Sequence, residues 1–277
     1  MIKTFYFILL IIFLLIIVYF VEKQMMSFLK NNNIYGYNFS KNKILTCGGL
    51  VILFPLVILF NIIYYLNIID THLLLCYLLV IFSIGFVGFI DDMVGKTEYK
   101  GMISHLKQFV LCRNFTTGAL KALTGVVVGF IVSYWIPEGK SLPSIIVGAL
   151  TFSLFTNLIN MFDTRPGRAV KFFILFSVIL IGIAPRHILL ITIILAPAIM
   201  YLPMDMNGII MLGDTGSNLL GGILGITSLL ILDGAIQVAT VILLMALHYI
   251  GDRYSFTSII KGSKILSYID NFGRKIT

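Results

Sequence analysis

Gly88-Phe-Ile-Asp91-Asp92-Met-Val-Gly95-Lys96 ends a long apolar run abruptly on two adjacent carboxylates. The run behind it, Leu73 to Ile90, contains no charged residue. Such a stretch is long enough to cross a bilayer as a helix, because in lipid only helices or closed barrels satisfy the backbone. Asp91 and Asp92 are therefore expected at a membrane edge.

The rest of the chain follows the same pattern. Hydrophobic residues make up 59% of the 277 and charged residues 12%, with a mean hydropathy of +1.02, outside the range of soluble domains. The predicted spans are about 4–21, 45–66, 72–90, 120–136, 143–161, 169–184, 187–203, 217–232 and 235–250. The expected fold is an all-α polytopic membrane protein with about nine transmembrane helices, a single catalytic domain over residues 1–277. The first apolar run is kept as a span, since its core is too long for a signal peptide and lacks a small-residue cleavage site.

Nine spans divide the connecting loops between two sides. One side collects seventeen of the 20 Lys and Arg residues, the other only Lys3, Lys140 and Arg186. Basic residues are retained on the cytoplasmic side of short loops, which puts the N-terminus outside and the C-terminus in the cytoplasm. The same asymmetry accounts for the net charge of +8 through attraction to anionic head groups. No basic stripe interleaved with aromatics is present, which excludes nucleic acid as a partner. Cys47, Cys76 and Cys112 lack metal-ligand spacing.

The inside loops carry the unusual residues. The first contains Lys41 and Lys43 and ends Thr46-Cys-Gly-Gly, where a helix start leaves N–H groups open to an anion. In the second, Asp91 and Asp92 project about 100° apart on a helix and so face different partners. Its remainder, Met102 to Lys121, with His105, Lys107 and Arg113, suits an interfacial helix. In the third, Asn157, Asn160 and Asp163 share one stripe by their spacing of three. Pro166 then fits a helix N-terminus, and Arg165, Arg168 and Lys171 offer phosphate-binding cations. The fourth holds Asp214 between Gly213 and Gly216, with Thr215 and Ser217 able to cap the next helix. Carboxylates, amides and cations in this combination describe a Mg²⁺-dependent phosphate site, with Mn²⁺ as an alternative.

These four stretches, in this order, resemble the polyprenyl-phosphate sugar-1-phosphate transferases. That family includes phospho-N-acetylmuramoyl-pentapeptide transferase and the UDP-GlcNAc:undecaprenyl-phosphate transferases. The resemblance implies transfer of an N-acetylhexosamine 1-phosphate from a UDP-sugar to polyprenyl (undecaprenyl) phosphate, with release of UMP, on the cytoplasmic face of the cell membrane. It implies Asp214 as Mg²⁺ ligand, Asp91, Asp92 and Asp163 as catalytic residues, and Asn157 and Asn160 near the nucleotide. Lys41 or Lys43 corresponds to a nucleotide-side lysine. The chain departs from the family at Thr164-Arg165-Pro166-Gly167, where a second acid is missing, and at Met211, which replaces an aromatic. The final inside segment, Asp252 to Thr277, lacks histidine, and His248 is the nearest substitute. The missing histidine loop and the lack of any large extra inside domain favour a simple UDP-N-acetylhexosamine over the muramyl-pentapeptide donor. Two competing classes are a transporter or channel with a polar cytoplasmic-side site, and an inactive family member acting as a scaffold. The sequence leaves homodimer formation open.

Overall fold

The structure is a computed structural model that describes residues 2–95, 116–136 and 141–274, with side chains from residue 8 onward. The expected interfacial helix at Met102–Lys121 falls mostly outside the described residues, as do His105, Lys107, Cys112 and Arg113.

A long first helix, α1 (Ile2–Asn31), leads into a short hairpin of β1 (Tyr35–Tyr37) and β2 (Lys43–Leu45). The strands pair antiparallel, with Gly36 opposite Ile44. Seven longer helices follow the hairpin: α2 (Gly49–Tyr65), α3 (Thr71–Val94), α4 (Thr117–Trp135), α5 (Leu142–Phe162), α6 (Arg168–Ile183), α7 (Ile188–Met206) and α8 (Gly213–Ile231). The chain then forms α9 (Gly234–Tyr254) and two short helices, α10 (Phe256–Gly262) and α11 (Lys264–Asn271). Local chemistry sets several starts: Asp70 accepts from Leu73 N–H at 2.7 Å and Thr116 from Ala119 N–H at 3.1 Å, both side-chain N-caps.

Among the described residues, six helical segments are long and apolar enough to cross a membrane: Ile8–Asn31, Thr71–Val94, Thr117–Trp135, Leu142–Phe162, Pro185–Met206 and Gly234–Tyr254. The other three expected spans coincide with helices of a different character. Gly49–Tyr65 has 17 residues and Arg168–Ile183 has 16, short for a full crossing. The third, α8, is more polar, and it is buried along nearly its whole length. It runs through the middle of the bundle against α2, α3, α5 and α6, so its Thr, Ser and Asn side chains meet protein rather than lipid.

Close packing around α8 depends on glycine. A Cβ on Gly221 would lie 2.5 Å from the Thr156 Cα of α5, and one on Gly49 of α2 would lie 2.2 Å from the Gly216 nitrogen. Backbones approach here to distances that no larger residue allows. Tyr77 of α3 adds a buried hydrogen bond to Thr227 of α8 at 2.9 Å.

Two loops distant in sequence are joined by backbone bonds. Met211 N–H donates to Leu45 C=O at 2.8 Å, Gly48 N–H to Met211 C=O at 2.9 Å and Gly49 N–H to Leu212 C=O at 3.0 Å. This corrects the expectation that the Thr46-to-Gly49 helix start leaves its N–H groups open to an anion: the Gly48 and Gly49 groups are spent on the neighbouring loop.

Candidate active site

The ends of α3, α5, α7 and α8 converge on a cavity of about 490 Å³. Asp92, Asn160, Asp163, Asp205 and Asp214 line it on the bundle side, and Tyr37, Phe39, Ile44 and Thr46 of the hairpin region wall it on the other.

Asp91 and Asp92 face different partners, as their angular offset requires. Asp91 accepts from Lys121 Nζ at 2.6 Å, and the same ammonium lies 3.3 Å from Asp214 Oδ1. Lys121 thus holds two carboxylates from α3 and α8 together. Asp92 instead caps α8 from outside its own helix. Its Oδ1 accepts from Asp214 N–H at 2.7 Å, and its Oδ2 from Thr215 N–H at 2.9 Å and from the Thr215 hydroxyl. The cap expected from Thr215 or Ser217 is therefore supplied by α3: α8 begins at Gly213, and both hydroxyls lie inside its first turns. Gly213 takes φ +71° with the Asp92 carboxylate packed where a side chain would start, which explains the glycine before the acid.

On α5, Asn160 accepts from Ser217 Oγ at 3.2 Å and lines the cavity together with Asp163. Asn157, one turn earlier, donates to Met161 Sδ at 3.7 Å and is not among the residues lining the cavity. Burial pushes the Asp163 carboxyl well above the usual carboxylate range, reinforced by the charges of Asp205, Asp214 and Asp92. None of the described Lys or Arg residues forms an ion pair with Asp163.

The five cations read from the loops are deployed differently. Arg165 sits over the Phe39 ring, its Cζ 4.1 Å from the centroid, and lines the cavity. Arg168 is buried in a bidentate pair with Asp270 of α11, Nε to Oδ1 at 2.8 Å and Nη2 to Oδ2 at 3.0 Å. Lys171 Nζ donates to the carbonyls of Ile269, Asp270 and Phe272 at 3.0, 2.8 and 2.7 Å, closing the C-terminus of α11. Arg168 and Lys171 thus anchor the C-terminal helix, which occupies the donors that a phosphate would need. Pro166 precedes the α6 start rather than sitting inside it; Gly167, at φ +77°, is the N-cap. Lys41 and Lys43 are exposed, and Lys43 stands over the Tyr35 ring, 5.2 Å from its centroid. Ile44 and Thr46 alternate with Lys43 and point into the cavity, so Lys43 projects from the opposite face of the strand. His248 bonds the Leu244 carbonyl one turn back at 2.8 Å.

Two cavity or near-cavity residues escape a sequence reading. Lys121 reads there as one positive-inside residue among many. Asp205 sits inside an apolar helix, and its role is visible only from its Oδ2, which accepts from Gly167 N–H at 2.8 Å. Its one signal is an acid within a membrane-length apolar segment.

No three His, Cys, Asp or Glu side chains among the described residues form a ready metal cage. Mg²⁺ does not require one, since it is usually held by one or two carboxylates plus substrate phosphates and water. The donor set fits such an ion: hard oxygen ligands, and an Asp163 carboxyl crowded by like charges with no paired cation.

Fold and cavity define a multi-pass, mainly helical membrane protein with an acidic, oxygen-rich site where helix ends and connecting loops meet. The sequence model of glycosyltransferase family 4 matches residues 74–232, more than half of the chain. The protein belongs to this family, the polyprenyl-phosphate hexosamine-1-phosphate transferases. No curated protein matches the chain.

Proposed function

We propose that the protein transfers an N-acetylhexosamine 1-phosphate from a UDP-sugar to a polyprenyl phosphate, releasing UMP, at the cytoplasmic face of the cell membrane. The observation that carries this reading is the convergence of Asp92, Asn160, Asp163 and Asp214 on one cavity walled by Phe39 with Arg165 over its ring. Lys and Arg asymmetry supports the cytoplasmic placement and a nine-crossing topology, with the more polar α8 shielded inside the bundle.

In the proposed reaction, an oxygen of the lipid phosphate attacks the sugar-bearing phosphorus of the donor. The bond between that phosphorus and the bridging oxygen breaks, and UMP leaves with the oxygen. The nucleophile needs little activation, because a phosphate monoester is largely ionised near pH 7. Asp214 and Asp163 would hold Mg²⁺, which when bound neutralises diphosphate charge and stabilises the leaving phosphate. Lys121 bridges Asp214 to Asp91 and so sets the position of the Asp214 carboxylate. Asp92 has both oxygens engaged by α8, so its contribution is to fix the Asp214 backbone. The Arg165 side chain makes no hydrogen bond to the described residues and can turn its donors to a phosphate.

The test uses protein in detergent with undecaprenyl phosphate, Mg²⁺ and a panel of UDP-sugars, following UMP with and without EDTA. Metal-dependent UMP from one donor is the expected result, abolished by Asp214→Asn. Failure of every donor with folded wild-type protein would overturn the transferase reading in favour of an inactive scaffold.

A further inference from the structure

The last helix, α11, is clamped to the loop before α6 by one face. Its Asp270 takes the Arg168 guanidinium, whose Nη1 donates on to the Thr164 and Thr257 hydroxyls at 2.8 and 3.0 Å. Arg274, just beyond the helix, donates through Nη2 to the Pro166 carbonyl at 2.8 Å and reaches Asp270 at 3.3 Å. The clamp ties residues 164–168 to α11.

The other face of α11 is apolar and outward. Ile265, Tyr268 and Ile269 are spaced by three and one, and Phe272 follows three residues later, so all four share one stripe. They are 54 to 73% exposed, whereas Asp270 is buried. The Tyr268 and Phe272 rings lie 6.1 Å apart on that stripe. A surface helix of a water-soluble protein turns its apolar stripe inward. Here the carboxylate is turned in and the apolar stripe out, as in a helix lying in a membrane interface.

Depth and charge point to the same partner. Phe256, which opens α10, stacks on Phe162 at the end of α5, ring centroids 4.2 Å apart. Both α5 and α9 are of membrane length, so α10 and α11 follow where these two helices end. Tyr249 and Tyr254 on the last turns of α9 are exposed, as aromatic side chains at head-group level are. From Ser255 to Thr277 the chain carries Lys261, Lys264, Arg274 and Lys275 against a single acid, Asp270, and that acid is spent in the clamp. Lys261 and Lys264 are exposed. With the Tyr268 and Phe272 rings they line a recess of about 650 Å³ between α10 and α11. The lysines work against a second copy as the occupant, because two-fold pairing of this face would set like charges against each other. Lysines beside an apolar stripe match anionic head groups with acyl chains beneath them.

We infer that α11 is an in-plane anchor seated on the anionic surface of the bilayer. Ile265, Tyr268, Ile269 and Phe272 enter the boundary of the acyl chains, and Lys261 and Lys264 take the phosphates of anionic phospholipids. The bound lipid belongs to the bulk bilayer and meets the face of α11 turned away from the clamp, so the inference does not depend on the transfer reaction. Through Asp270 and Arg274 the loop bearing Arg165 is held at a fixed height relative to the membrane surface.

The experiment uses the full-length Trp135→Phe/Tyr268→Trp protein, which keeps one tryptophan, placed on the stripe, in nanodiscs. In discs containing phosphatidylglycerol, lipids brominated on their acyl chains should quench about half or more of the emission, and aqueous iodide little of it. Discs of phosphatidylcholine alone, or Lys261→Gln/Lys264→Gln on the same background, should lose about half or more of that quenching. Both lysines are exposed, and unchanged melting in detergent checks the fold of the variants. An indole open to iodide and untouched by brominated lipid puts the stripe in water and overturns the inference. One shielded from both quenchers overturns it in favour of a protein partner such as a second copy. Equal quenching by brominated lipid in both kinds of disc, unaffected by the lysine changes, overturns the assignment to anionic lipid.

Discussion

Replacing Asp92 with Ala removes the acceptor for three donors at the start of α8: Asp214 N–H, Thr215 N–H and the Thr215 hydroxyl. Loss of an N-cap costs about 0.5–2 kcal/mol. The charge that complements the helix N-terminus contributes up to about 2 kcal/mol in a partly buried setting, and a buried N–H left without a partner costs about 1–3 kcal/mol. These effects overlap and do not add, so about 3 kcal/mol is expected for Asp92→Ala, and about half of that for Asp92→Asn, which keeps one acceptor oxygen. On the usual scaling for a chain of this size the Ala change lowers the melting temperature by roughly 6–12 °C. Differential scanning fluorimetry in detergent, on Trp and Tyr emission, reads it. UMP release should fall in parallel, because Asp214 loses the anchor of its own backbone. An Asp92→Ala protein that melts with the wild type yet has lost turnover would refute this reasoning and make Asp92 a participant in the chemistry.

Lys121→Met should leave Asp91 and Asp214 adjacent without their shared cation and lower kcat by roughly 10²–10³, as removal of a preorganised charged group does; turnover within a few-fold of wild type would refute the role given to Lys121. Gly49→Ala should abolish folded yield, since its Cβ would meet the Gly216 backbone at 2.2 Å, whereas Gly125→Ala, with nothing within 4 Å, should be neutral. Size-exclusion recovery of the two proteins compares them directly. At Asp270 burial alone would raise the carboxyl, but hydrogen bonds and charge from Arg168 and Arg274 override it and hold it below the usual carboxylate range. A lowered folded value makes the clamp's stabilisation complete above the unfolded value of about pH 3.9 and lost as pH falls through the folded one. Acid titration of melting temperature should show that decline in the wild type and a flatter one in Arg168→Met. The latter should itself be destabilised by roughly 3–5 kcal/mol for breaking a buried pair.

The helices were legible because lipid imposes one rule everywhere: long apolar runs bounded by charge must be helical. The acids of the site were legible for the related reason that Asp91, Asp92, Asp163 and Asp214 interrupt or end such runs. What the sequence does not carry is partner choice. Arg165 and Arg168 are three residues apart in the same loop, yet one lies on Phe39 and the other on Asp270, 102 positions away. Both partners are brought there by tertiary packing. Nor does an apolar period separate α8, enclosed by protein, from helices that face lipid; only its glycines and hydroxyls hint that its neighbours are backbones.

The capping of α8 by a carboxylate from α3 bears on how the protein is made. Residues 46–49 and 91–92 leave the ribosome long before residues 205–214, and until then Asp92 has no helix to cap and the Thr46 loop has no strand beside it. The more polar α8 is a weak candidate to enter lipid unaided. It must be handed to a cradle of α2, α3 and α5 already in place, so the acidic site would come into being in a single late event of biogenesis. A nascent chain arrested before Asp214 would hold most of the bundle and none of the chemistry.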